Sequence, residues 1–194
     1  FRKYEEDGGF NTYLWSSGKG SECIYMFNQT VKDSNLREVF RNSKFRIALS
    51  HAMNREEINN AIYFGKAEIR QYTVLSSSKY FKPEFKNAYI EYDPEKAKRL
   101  LDEIGLVDRD GDGWSEKPGS EKEDFIFTIE YYISETPKGA ITELVSSQWK
   151  SIGINVNTKQ ISGELQAQRA PANMMEVAFW HGDRKSDRKG ESVH

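Results

Sequence analysis

The chain has 194 residues, enough for one well-packed domain or two very small ones. Lys plus Arg number 28 and Asp plus Glu 30, so the net charge is −2 and gives no reason to expect nucleic acid or an anionic membrane as partner. A single cysteine, Cys23, excludes an internal disulfide and a thiol metal cluster, and no apolar run approaches membrane-spanning length.

The first 42 residues are the least regular. Gly8-Gly9, Ser16-Ser17-Gly18 and Gly20-Ser21 are turn signals. Tyr13-Leu14-Trp15 and Cys23-Ile24-Tyr25-Met26-Phe27 are strand candidates that can pair as a hairpin across them. Leu36, Val39 and Phe40 then mark a helical turn.

Residues 43–65, SKFRIALSHAMNREEINNAIYFG, read as two short helices joined at a polar corner. Phe45, Ala48, Leu49, Ala52 and Met53 form the apolar stripe of the first, which leaves His51 at the surface or boundary. Asn54 caps the second, with Glu57 three places on as a capping-box partner, and Gly65 ends it in the left-handed region.

Residues 66–92 read as a long loop whose scattered aromatic residues pack it against itself. Asp93-Pro94 opens a clear helix with a stripe of Ala97, Leu100, Leu101 and Ile104, ended by Gly105. Residues 125–133, FIFTIEYYI, alternate as a strand with Phe125, Phe127, Ile129, Tyr131 and Ile133 on one face. A helix from Thr136-Pro137 to Gly153 and a strand at residues 154–158 complete a βαβ unit, with parallel strands and a right-handed connection. A short helix at 163–169 and a last strand at 174–180 precede a polar tail, residues 184–194.

Two places carry candidate chemistry. Asp108, Asp110 and Asp112 alternate before glycines, as in the first half of a calcium loop. Position 119, where an EF-hand needs its bidentate glutamate, is Gly119, so Glu116 or Glu121 has to substitute. The plainer reading is an acidic turn whose Asp side chains cap backbone N–H groups. The second place is Trp180-His181-Gly182-Asp183, just beyond the last strand, where ligands of open α/β sheets tend to bind. An indole offers a flat apolar face, and a carboxylate can hold an ammonium or sugar hydroxyls. The competing reading makes Trp180 strand-end packing and Asp183 a turn residue. No HExxH, GxSxG, Walker loop or GxGxxG is present, and the carboxylate spacing selects no acid/base pair.

Phe45-Arg46-x-Ala48-Leu49-Ser50-x-Ala52-x-Asn54-Arg55-Glu56-Glu57-Ile58-Asn59 resembles the signature of the family 5 extracellular solute-binding proteins of ABC importers. Tyr92-Asp93-Pro94-x-Lys96-Ala97 and Trp149-x-x-Ile152-Gly153-Ile154-x-Val156 resemble further stretches of it, in family order. The resemblance implies an α/β fold, one lobe of a periplasmic-binding-protein type II fold, with a mixed sheet and flanking helices. Residues 1–42 would lead in from the first lobe, and 43–183 would form the ligand-binding lobe. It implies an extracytoplasmic binding component, not an enzyme, that delivers an oligopeptide to a membrane permease and needs no cofactor. Contact with the membrane would come only through the permease or a lost lipid anchor. Trp180 and Asp183 match the family's Trp-x-x-Asp, whose aspartate pairs with the peptide α-amino group, and His181 lies between them. The residues that follow, Arg184-Lys185-Ser186, depart from the peptide binders and keep an oligosaccharide open as ligand. A hydrolase acting on peptides or glycans, and a calcium-dependent interaction module, are the rival classes. Because the chain starts at Phe1 without a signal, a fragment with export information lost upstream is expected, with cytoplasmic residence as the alternative.

Overall fold

The computed structural model describes residues 4–13, 20–133 and 136–182. Its elements in chain order are α1 (Glu5–Gly8), β1 (Ile24–Phe27), α2 (Ser34–Arg41), α3 (Ser43–His51), α4 (Arg55–Tyr63), α5 (Pro83–Lys86), α6 (Pro94–Asp102), β2 (Ile126–Tyr131), α7 (Lys138–Lys150), β3 (Asn155–Gln160), α8 (Gly163–Arg169) and β4 (Val177–Trp180). The strands form one mixed sheet in the order β1-β4-β2-β3. β2 runs parallel to both β3 and β4, with Ile126 opposite Asn155 and Ile129 opposite Val177, whereas β1 is antiparallel to β4. The expected βαβ unit is therefore β2-α7-β3. β1 pairs with β4, and Leu14-Trp15, the other half of the expected hairpin, lies outside the described residues.

Local chemistry explains where the helices start. Asp93 accepts a hydrogen bond from the Lys96 N–H at 2.8 Å, and Pro94 occupies the first turn, where its missing N–H costs nothing. Asp33, Asn42 and Ser162 cap α2, α3 and α8 in the same way. Asn54 accepts from the Glu57 N–H at 3.0 Å, as expected. The reciprocal half of the capping box is absent, because Gln148 on α7 takes its place. The Asn54 N–H donates to Gln148 Oε1 at 3.0 Å, and Gln148 Nε2 donates to Glu57 Oε2 at 2.8 Å. One amide thus satisfies the corner between α3 and α4 and pins it to α7. The left-handed turn after α4 begins at Phe64 (φ 54°) and continues through Gly65 (φ 70°), one residue earlier than expected.

The core lies between the sheet and α2, α3, α6 and α7. Phe40, Phe45, Phe125, Phe127 and Trp149 are buried there in mutual edge and tilted ring contacts, with Phe27 packed against them. Trp149 Nε1 donates to the Leu49 carbonyl at 3.0 Å, so the indole both fills the core and satisfies a buried acceptor. Phe125, Phe127, Ile129 and Tyr131 all face inward as the alternation requires, but Ile133 does not, being 65% exposed beyond the end of β2. On the other face Glu130 is buried and held by the Arg169 guanidinium of α8 at 3.1 Å.

Two expectations fail here. His51 is fully buried, not at a boundary. The segment before α6 closes over it, with the Glu91 carbonyl 3.0 Å from Nδ1 and the Asp93 N–H donating to the His51 carbonyl at 2.9 Å. The aromatic residues of 66–92 do not pack the loop against itself. Tyr80 and Phe85 are 69% and 53% exposed, and Tyr72, Tyr89 and Tyr92 are close to half exposed. Polar bonds hold the segment down instead. Ser50 Oγ donates to the Tyr89 carbonyl and accepts from Arg55 Nη2 and Gln71 Nε2. Burial at this junction brings the Arg55 guanidinium down to about 10, against the opposing pull of the Glu91 carboxylate.

Candidate functional site

In a parallel βαβ unit the helix that follows a strand begins at that strand's carboxyl edge. β2 and β4 are parallel, so the ends of both, together with the first residue of α7, Lys138, meet on one side of the sheet. Residues 21–23 reach the same edge, because β1 is antiparallel to β4 and starts where β4 stops. The Gly182 N–H donates to the Ser21 carbonyl at 2.8 Å and extends that pairing past the strand.

A cavity of about 1340 Å³ opens along this edge. Trp180, His181 and Gly182 line one wall, Cys23 and Tyr25 the floor of β1, and Tyr63 and Tyr72 come from α4 and the segment after it. Gly182 has a steric reason to be glycine. A Cβ there would lie 2.5 Å from the Tyr72 ring and 3.0 Å from the Ser21 nitrogen. The bare backbone lets Tyr72 close over the strand end.

Trp180 sits in an aromatic group. Its ring centroid is 5.2 Å from that of Tyr132 and 4.8 Å from that of His181, each tilted by 45°. The Lys138 ammonium lies 4.6 Å from the Trp180 centroid and 3.8 Å from that of Tyr132. His181 Nδ1 is 2.9 Å from the Gly182 carbonyl. The structure thus brings Trp180 and His181 together at the cavity wall. Asp183 lies outside the described residues. Lys138, Tyr132 and Tyr72 were missed from sequence, since each is far along the chain from the Trp180 motif.

Tyr25 is partly buried, with its ring against Trp149 and Phe179 at 5.2 and 4.8 Å, and its hydroxyl donates to Thr142 Oγ1 at 3.5 Å. Burial pushes that hydroxyl well above the ordinary phenol value of 10.0. The unfolded chain loses this proton near pH 10 while the folded chain keeps it, so the unfolded state binds fewer protons and stability falls as pH rises. The expected slope is about 1.4 kcal/mol per pH unit from this group. Denaturant midpoints measured from about pH 9 to pH 11 test it, because Tyr25→Phe is expected to flatten the decline. An equally steep decline in that variant would refute the assignment to Tyr25.

The acidic turn follows the plainer sequence reading, with Asp side chains capping backbone N–H groups, and departs from the candidate metal set only at Asp112. Asp108 accepts from the Gly111 and Gly113 N–H groups at 2.7 and 3.0 Å, Asp110 from Asp112, and Asp112 from Trp114. The three-carboxylate group that comes together is Asp108, Asp110 and Glu116, with oxygens within 4.8 Å of one another. Asp112 is not part of it. Glu116 is fully buried and accepts from the Arg109 and Asp110 N–H groups at 2.9 and 3.2 Å, with the Arg109 guanidinium 3.5 Å away.

Residues 2–188 match the family model described as bacterial extracellular solute-binding proteins, family 5 Middle. The chain belongs to this family. It is 31% identical over 137 residues to the oligopeptide-binding protein AppA of Bacillus subtilis (strain 168), a match covering 70% of this chain and 25% of that protein. A solved structure of "oligopeptide-binding protein OppA" superimposes with a TM-score of 0.86 at 34% identity, over 98% of this chain and 30% of that one. The structure of AppA from Bacillus subtilis in complex with a nonapeptide gives a TM-score of 0.73 at 26% identity, over 92% of this chain and 35% of that one. The fold is that of one lobe of a type II periplasmic binding protein, mixed α/β as expected. The family 5 chain spans about a quarter of the length of the curated relatives it matches.

Proposed function

We propose that the family 5 protein containing these residues captures oligopeptides outside the cytoplasm and hands them to an ABC permease, without chemical turnover. In this reading the described segment supplies one wall of a cleft, and a first lobe closes onto it about a hinge. The observation that carries the reading is the position of Trp180. It stands at the shared carboxyl edge of β2 and β4, on the wall of the large cavity, in a family that includes the oligopeptide-binding proteins AppA and OppA. Trp180 would offer its indole to a ligand residue, with His181 beside it. Asp183 would accept from the ligand's α-ammonium.

The acidic turn, on this reading, is a structural corner held by its own backbone donors and needs no ion. A rise in melting temperature with calcium that disappears on Asp110→Ala would assign an ion to Asp108, Asp110 and Glu116 instead.

The test is calorimetry on the full-length protein with alanine-based tri-, penta- and nonapeptides, alongside cello- and xylo-oligosaccharides. Trp180→Ala is expected to weaken peptide binding about 30-fold, the effect of removing one buried aromatic anchor. Asp183→Asn is expected to weaken peptides with a free amino terminus more than N-acetylated ones. Binding of the sugars alone would move the ligand class to oligosaccharides. Cleavage of the peptide during the titration would overturn capture in favour of a hydrolase.

A further inference from the structure

Lys138 breaks two local rules at once. It is a lysine only 3% exposed, where ammonium groups are rarely enclosed. It is the first residue of α7, at the positive end of the helix dipole, where a cation is disfavoured. It also stands at the carboxyl edge of β2, where α7 begins. Aromatic rings stand close to its ammonium. Nζ and the centroids of Tyr132 and Trp180 make a triangle with sides of 3.8, 4.6 and 5.2 Å, and the Phe179 ring lies 5.9 Å from Nζ. Both nearer distances fall within the range in which a ring's quadrupole attracts a cation. Local rules are most often broken where function requires it.

We infer that Lys138 is a positioning residue for ligand recognition. Its ammonium, shared between the Tyr132 and Trp180 rings, fixes the angle at which the Trp180 indole is presented to the cavity. Trp180 ends the four-residue β4, and its ring packs on Tyr132 and His181. The shared cation adds a charged restraint to the Trp180 ring and to that of Tyr132, six residues before Lys138. The indole is thereby pre-set before ligand arrives, which removes an ordering cost from binding. This inference rests on the reading of Trp180 as a ligand contact.

The test compares Lys138→Met, which keeps the stem and removes the charge, with Lys138→Arg, which keeps the charge. Both are made in the full-length protein. In the ligand-free arm the protein is labelled with 5-fluorotryptophan, and the Trp180 fluorine resonance is identified by its loss in Trp180→Phe. Lys138→Met is expected to move and broaden that resonance, while Lys138→Arg leaves it single and sharp. In the second arm the affinity for an alanine-based nonapeptide is expected to fall about fivefold in Lys138→Met and to stay within about twofold in Lys138→Arg, the scale of one cation–π contact. In a Trp180→Ala background Lys138→Met is expected to add nothing, whereas a merely structural lysine would cost the same in both backgrounds. The melting temperature of Lys138→Met separates unfolding from lost positioning.

An unchanged fluorine resonance in Lys138→Met overturns the inference, as does a moved resonance with unchanged affinity. The reading beneath it fails separately. If Trp180→Ala binds the nonapeptide as well as the wild type, or the wild type binds no peptide, Trp180 is not the ligand contact, and the fluorine arm still decides whether Lys138 holds its ring.

Discussion

Trp149→Ala is expected to cost about 4 kcal/mol of folding stability, within the range for truncating a buried aromatic side chain. The indole is 1% exposed and touches Tyr25, Phe27 and Phe127. Its removal leaves a cavity lined by rings from two strands, β1 and β2, which cannot collapse without breaking the sheet. It also strands the Leu49 carbonyl, which accepts the Nε1 hydrogen at 3.0 Å. Trp149→Phe separates the two effects, since it keeps most of the packing and loses the bond, for an expected cost of about 2 kcal/mol. Urea denaturation of the two variants beside wild type gives the comparison. Equal losses would mean that the hydrogen bond, not the volume, holds α7 to α3.

The second large effect belongs to Glu116. Its carboxylate is fully buried and answers two backbone donors and a guanidinium. Glu116→Ala removes the acceptor and leaves the Arg109 and Asp110 N–H groups and the Arg109 charge to find other partners. Breaking one side of such an arrangement is expected to cost about 3 kcal/mol. Glu116→Gln keeps the shape and one carbonyl acceptor, and is expected to lose about half as much. The melting temperatures of both variants, each with and without millimolar calcium, check the role. A loss in Glu116→Ala that appears only with calcium present would make the residue a metal ligand and not a brace.

How much of this was legible depended on the reach of each interaction. The capped helices were readable because a cap is local. Asp93 and Asn54 act on residues three places on, and the sequence shows both members. β2, α7 and β3 were readable because the apolar periodicity lies within each element and Gly153 stops the α7 pattern. Gln148 was not, since nothing in the α7 pattern says that its amide reaches α4 to replace half of a capping box. His51 was misplaced for the same reason. Its helix leaves it beside the apolar stripe, and only the later segment at Glu91 encloses it. In the candidate site, Trp180 and His181 were visible as neighbours in sequence, while Lys138, Tyr132 and Tyr72 arrive from other elements. Asp112 was grouped with Asp108 and Asp110 by spacing, but the turn bends so that Glu116 takes that place.

The position of β4 sets an order of events. It is the last strand among the described residues, yet it lies inside the sheet, between β1 and β2. During synthesis β1 leaves the ribosome before the other described strands, and its partner β4 follows only when Trp180, opposite Ile24, has been made. β2, α7 and β3 are contiguous and can assemble in the meantime, since near contacts form faster than distant ones. Until then the β1 edge that β4 takes stays open, and open edges invite pairing with other chains. The element that carries Trp180 to the cavity wall is therefore also the one that joins β1 to the rest of the sheet.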